Sequence, residues 1–278
     1  MKLIFNRIAI IGLGLIGASI ARSVKKNKIA KEVVGFFRRE NALKEALEDK
    51  IVDQGYLDLE STVKKADLVI LAVPVYEIIK IAESIKDFIP QSVLVTDIGS
   101  TKFQIVKKLS RIYPNYLGAH PLAGSEKKGA EFSSPGLFDN KITILTPVDM
   151  TNPKVTGIMR KFWGALGAKI AIMNPDTHDE IVSRISHLPH LLMYGLMNMV
   201  TDEHLQYASS GFKDSTRIAA SDANIWMEIF LSNKKYLLKD IDLFIKYLER
   251  YKKFLTGNME EELLSVISDG AGKRKSFQ

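Results

Sequence analysis

The first half of the chain alternates short apolar runs with segments of helical spacing. "RIAIIG" (7–12) is a continuous apolar run closed by glycine, the pattern of a strand buried on both faces. Residues 15–26 follow with helical periodicity, and "EVVGFF" (32–37) is a second strand. "ENALKEALEDK" (40–50) is rich in strong helix formers. "ADLVILAVP" (66–74) is a third strand stopped by proline, and "VYEIIKIAESIKDF" (75–88) is spaced as a helix. "SVLVTDIGS" (92–100) is a fourth strand running into a polar loop, with a helix over 101–112. "NYLGAHP" (115–121) and "KITILTP" (141–147) supply a fifth and a sixth strand. Such alternation predicts an α/β fold with a doubly wound parallel sheet.

Near residue 172 the pattern changes, and from "NPDTHDE" onward nearly everything reads as helix. The chain therefore divides into an α/β region, 1–171, and a helical region, 172–278. Leu237, Ile241, Phe244, Leu248, Tyr251 and Leu255 recur at alternating intervals of four and three, a heptad-like stripe. Burial within its own domain and burial in a subunit interface both explain it; about 105 helical residues alone make a thin core.

Composition narrows the class. Of the 278 residues, 46% are hydrophobic and 26% charged, the balance of a globular protein with a real core. With no cysteine, disulfides and thiolate chemistry are excluded, which suits a cytoplasmic protein. Residues 8–20 are apolar but too short to span a bilayer, and three glycines interrupt them, so neither a membrane span nor a signal peptide is expected. The net charge of +7 is uneven. Residues 1–171 hold 26 lysines and arginines against 17 acids, while residues 172–278 hold 13 against 15. A basic excess fits an anionic partner. Nucleic acid is not expected, because no basic run is interleaved with aromatics and no finger-like motif is present. A phosphorylated cofactor and an acidic substrate would use the same charge.

Gly12-x-Gly14-x-x-Gly17 follows the first strand and opens a helix, in the order of a dinucleotide-binding (Rossmann) unit. Gly12 allows the tight turn, Gly14 lets backbone approach a pyrophosphate, and Gly17 lets the helix pack on the strand. Leu15 and Ile16 begin the helix, whose free N–H groups and positive dipole end face the phosphates. An acid that holds the ribose hydroxyls of NAD is expected about 20 residues further on. Phe37 stands there, followed by Arg38 and Arg39. Two arginines would attract a 2′-phosphate by charge-assisted bonds, which favours NADP over NAD. Two solvated arginines beside Glu40 is the plain alternative.

Further polar clusters fall where strands end. "DIGSTK" (97–102) follows the fourth strand and "GAHPLAGSEKKG" (118–129) the fifth. His120 is suited to proton transfer near neutral pH. In "SRISHLPHLLMYG" (183–195), His187 and His190 lie three apart, on similar faces of a helix, with Pro189 expected to kink or break the turn. No carboxylate or cysteine stands at a supporting spacing, so no metal site is expected. In "SGFKDSTRIAASDANIWMEIF" (210–230), Lys213 and Arg217 sit one turn apart beside Asp214, a set that either binds a carboxylate or forms surface ion pairs.

"GLGLIG", "DIGS", "GAHPLAGSEKKG", "SHLPH" and "GFKDSTRIAASD…W" occur in this order, and over nearly its whole length the chain resembles the prephenate dehydrogenases, also called cyclohexadienyl dehydrogenases. The resemblance implies a nicotinamide-binding N-terminal half and an all-helical dimerisation half. It implies oxidative decarboxylation of prephenate to 4-hydroxyphenylpyruvate in tyrosine biosynthesis, or of the amino analogue arogenate. It implies a catalytic role for His120 on the ring hydroxyl, with Ser100 assisting that histidine and the nicotinamide end. It further implies that Arg217 pairs with a substrate carboxylate, that His190 contacts the substrate side chain, that Glu126 gates the pocket, and that His187 supports it. The second histidine of "SHLPH" leans toward prephenate. The chain departs from the family where many NAD-using members carry the acid after the second strand. Two rivals differ in kind: another two-domain dehydrogenase acting on a β-hydroxyacid or imine, in which Lys213 would stand near the substrate, and a catalytically silent NADP-binding sensor. The paired "HPLAGSE" and "SHLPH" motifs argue against the first. The second would not need His120, Ser100 and Arg217 together.

Overall fold

The structure is a computed structural model that describes residues 3–124 and 127–277. By packing the chain divides into two units, one ending at Asn233 and one beginning at Lys234.

The first unit is built on a five-stranded sheet of β1 (Phe5–Ile11), β2 (Ala30–Phe36), β3 (Gln54–Tyr56), β4 (Leu68–Leu71) and β5 (Leu94–Asp97), in the order β3-β2-β1-β4-β5. Every pairing is parallel. Helices Leu15–Lys26, Glu40–Glu48 and Val75–Ile85 lie between successive strands. Successive side chains of a strand point to opposite faces. Ile8 and Ile10 of β1 accordingly join one apolar cluster, while Ala9 and Ile11 join the other. Leu68 and Ile70 of β4 divide from Val69 and Leu71 in the same way. Both faces of the sheet are thus covered, which is why the strands read as unbroken apolar runs. Strand order reverses between β1 and β4, the switch point where such sheets bind ligands at their carboxyl ends.

The fifth and sixth expected strands do not extend this sheet. They form β6 (Gly118–Pro121) and β7 (Ile142–Thr146), paired antiparallel, and β8 (Lys169–Ile172) joins β7 in parallel. A single parallel bridge, Val95 to Tyr116, ties this three-stranded sheet to β5. The reason lies in the connection. A parallel return needs a crossover, usually a helix, and the described residues between β6 and β7 hold only a short 3₁₀ turn at Ala130–Phe132. The helix Pro153–Ala165 does provide a crossover between β7 and β8.

After β8 the chain is helical. Asn174 caps helix Pro175–Val182 by accepting from the Thr177 N–H at 2.8 Å. The chain then widens into a π-turn, Ser183–His187, and continues as helix Leu188–Met199. Pro189 therefore neither breaks nor ends the run. It sits in the first turn of the second helix, and the wider turn before it gives the ring room that a regular α-turn denies.

The second unit holds helix Lys234–Thr256 and helix Glu260–Ser276. Of the heptad-like stripe, Leu237 is buried, Ile241, Phe244 and Tyr251 are half-buried, and Leu248 and Leu255 are exposed. Leu243, Ile245, Leu264 and Ile267 are exposed as well. Among the described residues, no helix is long and apolar enough to cross a membrane.

Candidate active site

The turn after β1 has the geometry of a phosphate cradle. Gly12 has φ +99°, and a Cβ there would lie 2.2 Å from the Ala72 carbonyl oxygen. A Cβ on Gly17 would lie 2.0 Å from the Gly12 oxygen, so the helix approaches the turn as closely as only glycine permits. Gly14 is different. It is exposed, and a Cβ there would meet nothing within 4 Å. Its missing side chain serves access from outside, not packing within. Gly14 is the N-cap of helix Leu15–Lys26, with no side-chain cap and no acid in the first turn. The N–H groups around Leu15 and Ile16 are left without a side-chain cap. A dinucleotide fits this turn, its diphosphate against Gly14 and the helix start.

At the end of β2, Phe37 turns inward. It is buried, and its ring fills the space beside Gly35 and Gly55, where Cβ atoms would come within 2.9 and 2.7 Å of it. Arg38 and Arg39 are exposed, and the Arg38 guanidinium stands 3.9 Å from the Glu77 carboxylate. A pair so distant and exposed contributes little, which leaves Arg38 available to an outside anion.

Ser100 is half-buried in the loop that leaves β5. Beneath that loop lies a fully buried charge pair. Asp97 accepts from the Lys102 ammonium, from Tyr116 Oη at 2.6 Å and from the Gly99 N–H at 2.8 Å. Burial pushes Lys102 below its ordinary value, and Asp97 opposes that shift. Burial, with Asp97, pushes Tyr116 well above its own. A buried pair is tolerated only when its remaining valences are met. Here the loop's own Gly99 meets one of them, which ties the backbone beside Ser100 to the pair.

His120 lies in β6, its Nδ1 2.8 Å from Nε2 of His178. His178 is fully buried in helix Pro175–Val182, and its Nδ1 stands 2.8 Å from Oδ1 of Asp179. Asp179 also accepts from the Lys102 N–H at 2.7 Å and the Phe103 N–H at 3.0 Å. It therefore caps helix Phe103–Ile112 from a segment more than seventy residues away. Asn233 donates to the Asp179 carbonyl at 2.7 Å and lies 3.1 Å from Nδ1 of His187.

Four of the five histidines interact here. Burial pushes His120 well below its ordinary value, and the neighbouring His178, Lys102 and His187 add to that. His178 is lowered by burial against the opposing pull of Asp179. His187 is pushed down to about 4, chiefly by burial. His190 is lowered by burial and by Arg217, while its bond to the Ser186 carbonyl opposes the shift. All four are neutral at pH 7, so the site offers proton acceptors rather than cations.

The structure thus brings His120, His187, His190 and Arg217 into one electrostatic neighbourhood, and the glycine turn and Ser100 follow strand ends of the parallel sheet. Lys213 and Arg217 are both exposed, Lys213 in helix Ser210–Thr216 and Arg217 in the 3₁₀ turn after it. Glu126 lies outside the described residues. Sequence reasoning missed His178, Asp179, Asn233 and Trp226. Trp226 stacks on His190 with centroids 3.5 Å apart and meets His187 edge-on at 6.1 Å. The adjacent His-Asp pair of "NPDTHDE" was the available signal for the first two.

The sequence model of the prephenate dehydrogenase nucleotide-binding domain matches residues 20–172, and that of the prephenate dehydrogenase dimerization domain matches residues 174–269. The chain is 33% identical over 288 residues to the cyclohexadienyl dehydrogenase of Zymomonas mobilis, covering 99% of this chain and 97% of that protein. It is 32% identical over 268 residues to the prephenate dehydrogenase of Bacillus subtilis, covering 93% and 72%. The crystal structure of prephenate dehydrogenase from Aquifex aeolicus, in complex with hydroxyphenyl propionate and NAD+, superposes with a TM-score of 0.93 at 32% identity, covering 100% of this chain and 99% of that one. With both halves matched and relatives similar along nearly its whole length, this chain belongs to the prephenate dehydrogenase family of nicotinamide-dependent oxidoreductases.

Proposed function

We propose that the protein oxidises and decarboxylates prephenate to 4-hydroxyphenylpyruvate, with NADP preferred to NAD, and that His120 is the base. Residues 1–171 hold the cofactor in this reading, and residues 172–278 supply the substrate side and the dimer. The observation that carries it is a His120 that burial keeps neutral, in β6, four residues beyond the parallel bridge of Tyr116 to Val95 in β5.

Prephenate carries a ring hydroxyl opposite a ring carboxylate, and a pyruvyl side chain. The bound nicotinamide supplies the hydride acceptor for the hydroxyl-bearing carbon. His120 accepts the hydroxyl proton as that carbon becomes a carbonyl; loss of carbon dioxide then makes the ring aromatic, and the resulting phenolate oxygen takes the proton back from His120. A neutral imidazole is the form the step requires, and burial keeps it so. Ser100 assists His120 and the nicotinamide end. Arg217 pairs with one carboxylate, His190 meets the side chain with His187 behind it, and Glu126 gates the pocket. The chain positions two anions and manages one proton, so pre-organisation dominates the rate.

The exposed Arg38 and Arg39 support the NADP preference, because two cations follow β2 where a ribose-binding acid is otherwise expected. The half-covered stripe of helix Lys234–Thr256 supports a homodimer through the helical half. Cytoplasmic location accords with a biosynthetic role. Arogenate in place of prephenate is the second reading, favoured by the relative named cyclohexadienyl dehydrogenase. The test is absorbance at 340 nm with prephenate and NADP: one carbon dioxide released for each NADPH formed supports the reading, and no reduced cofactor overturns it.

A further inference from the structure

We propose that His178 is a positioning residue for His120: held by Asp179, it accepts the Nδ1–H of His120 and thereby leaves the His120 Nε2 lone pair as the base. The inference rests on the role given to His120 above and deepens it.

The argument is a matter of counting protons. The Asp179 carboxylate accepts the Lys102 and Phe103 N–H groups, which fixes it at the start of helix Phe103–Ile112. A carboxylate can only accept, so the 2.8 Å contact with His178 Nδ1 places the proton on that nitrogen. A neutral imidazole carries one N–H. His178 Nε2 is therefore an acceptor, and the 2.8 Å contact with His120 Nδ1 is satisfied only if His120 donates there. His120 Nε2 is then the free lone pair. The identity of the proton-bearing nitrogen passes along three residues from a helix N-terminus to the reacting base.

The alternative, a second proton on the pair, is opposed by burial and by the neighbouring cation and histidine. Lys102 lies behind Asp97 in the β5 loop, and His187 approaches from the π-turn; each disfavours a cation on His120. Asp179 and Asp97 favour one on His178, and burial outweighs them. When His120 takes the substrate proton, its Nδ1–H becomes the donor of an imidazolium, and the bond to His178 strengthens. His178 thus stabilises the protonated base without touching substrate.

Two variants separate this from a packing role. In His178→Phe the acceptor is gone. We expect kcat for prephenate to fall about 10–100-fold with KM within about threefold, and the acid limb of the kcat profile to move to lower pH, because His120 loses the bond that favours its charged form. In His178→Gln the amide oxygen can stand where Nε2 stood, and most of the rate and the wild-type acid limb return. An unmoved acid limb in a folded His178→Phe, or a folded His178→Gln no better than His178→Phe, overturns the proposal. Should His178→Phe fail to fold, long-range ¹H–¹⁵N spectra of the histidine-labelled wild-type protein decide it. Nδ1–H tautomers of both His120 and His178 support the relay, and an Nε2–H tautomer of His120 contradicts it. A wild-type protein inert to prephenate would sink the function given to His120 instead, and the spectra would still report on the relay.

Discussion

The imidazole of His190 lies flat on the indole of Trp226, centroids 3.5 Å apart and planes 19° from parallel. Its Nδ1 donates to the Ser186 carbonyl at 2.8 Å, which leaves Nε2 as the outward atom. Two contacts therefore fix both the plane of this ring and its direction. Trp226→Leu removes the plane and keeps an apolar side chain. The expected result is a rise of about 3- to 30-fold in KM for prephenate, with kcat changed less. An unchanged KM would show that His190 is oriented by other means.

His120→Asn deletes the proposed base and retains a polar group in β6. Its kcat falls by about 10²–10⁴, and the dissociation constant for prephenate changes little. A nearly normal kcat would remove His120 from the chemistry.

Arg217→Ala acts on binding. Loss of a charge-assisted bond to a carboxylate raises KM by about 10- to 100-fold, with a smaller effect on kcat. A loss in kcat with KM unchanged would mean that Arg217 acts on the transition state alone.

The glycine turn gives a contrast within one loop. Gly17→Ala forces a Cβ against the Gly12 oxygen, so the melting temperature drops by about 5 °C or more. Gly14→Ala meets no protein atom, so stability holds while the dissociation constant for NADP rises at least about tenfold. Calorimetry and cofactor titration on the two variants check this together.

Stability depends on pH with a definite sign. His120, His178, His187 and His190 are all lowered in the folded protein. The unfolded chain therefore binds more protons as pH falls below about 6.5. Stability is full above that pH and is lost on the way down to about 4, the value to which His187 is pushed. His187 alone accounts for roughly 3 kcal/mol across the window. His187→Asn, whose side-chain oxygen can accept from Asn233 without titrating, flattens the fall of melting temperature between pH 6.5 and 4.5. An equal slope in wild type and variant would contradict the assignment.

These expectations draw on a sequence that was legible in uneven measure. Strands β1, β2, β4 and β5 announce themselves because burial on both faces leaves their middles almost wholly apolar, Thr96 of β5 being the exception. β3 and β8 hold no buried residue, so neither writes a continuous apolar run into the sequence. The turn at Gly12, Gly14 and Gly17 is legible because its spacing is local. The buried Lys102 was not: it lies in what reads as a polar loop, and its burial depends on Asp97 and on Asp179 from a distant helix. His178 was hidden for the same reason. Its partner in β6 is 58 residues away, and in sequence it is one polar residue among five in "PDTHDE". That Phe37 turns inward was not legible either, since its side chain fills a gap left by two glycines, one of them in a strand 18 residues away.

The central claim is most directly tested by one kinetic matrix, kcat/KM for prephenate and arogenate each with NADP and NAD. The account predicts the highest value for prephenate with NADP, with that preference abolished in Arg38→Ala/Arg39→Ala and the NAD values unchanged. A highest value for arogenate, or a preference for NAD that survives the loss of both arginines, would contradict it.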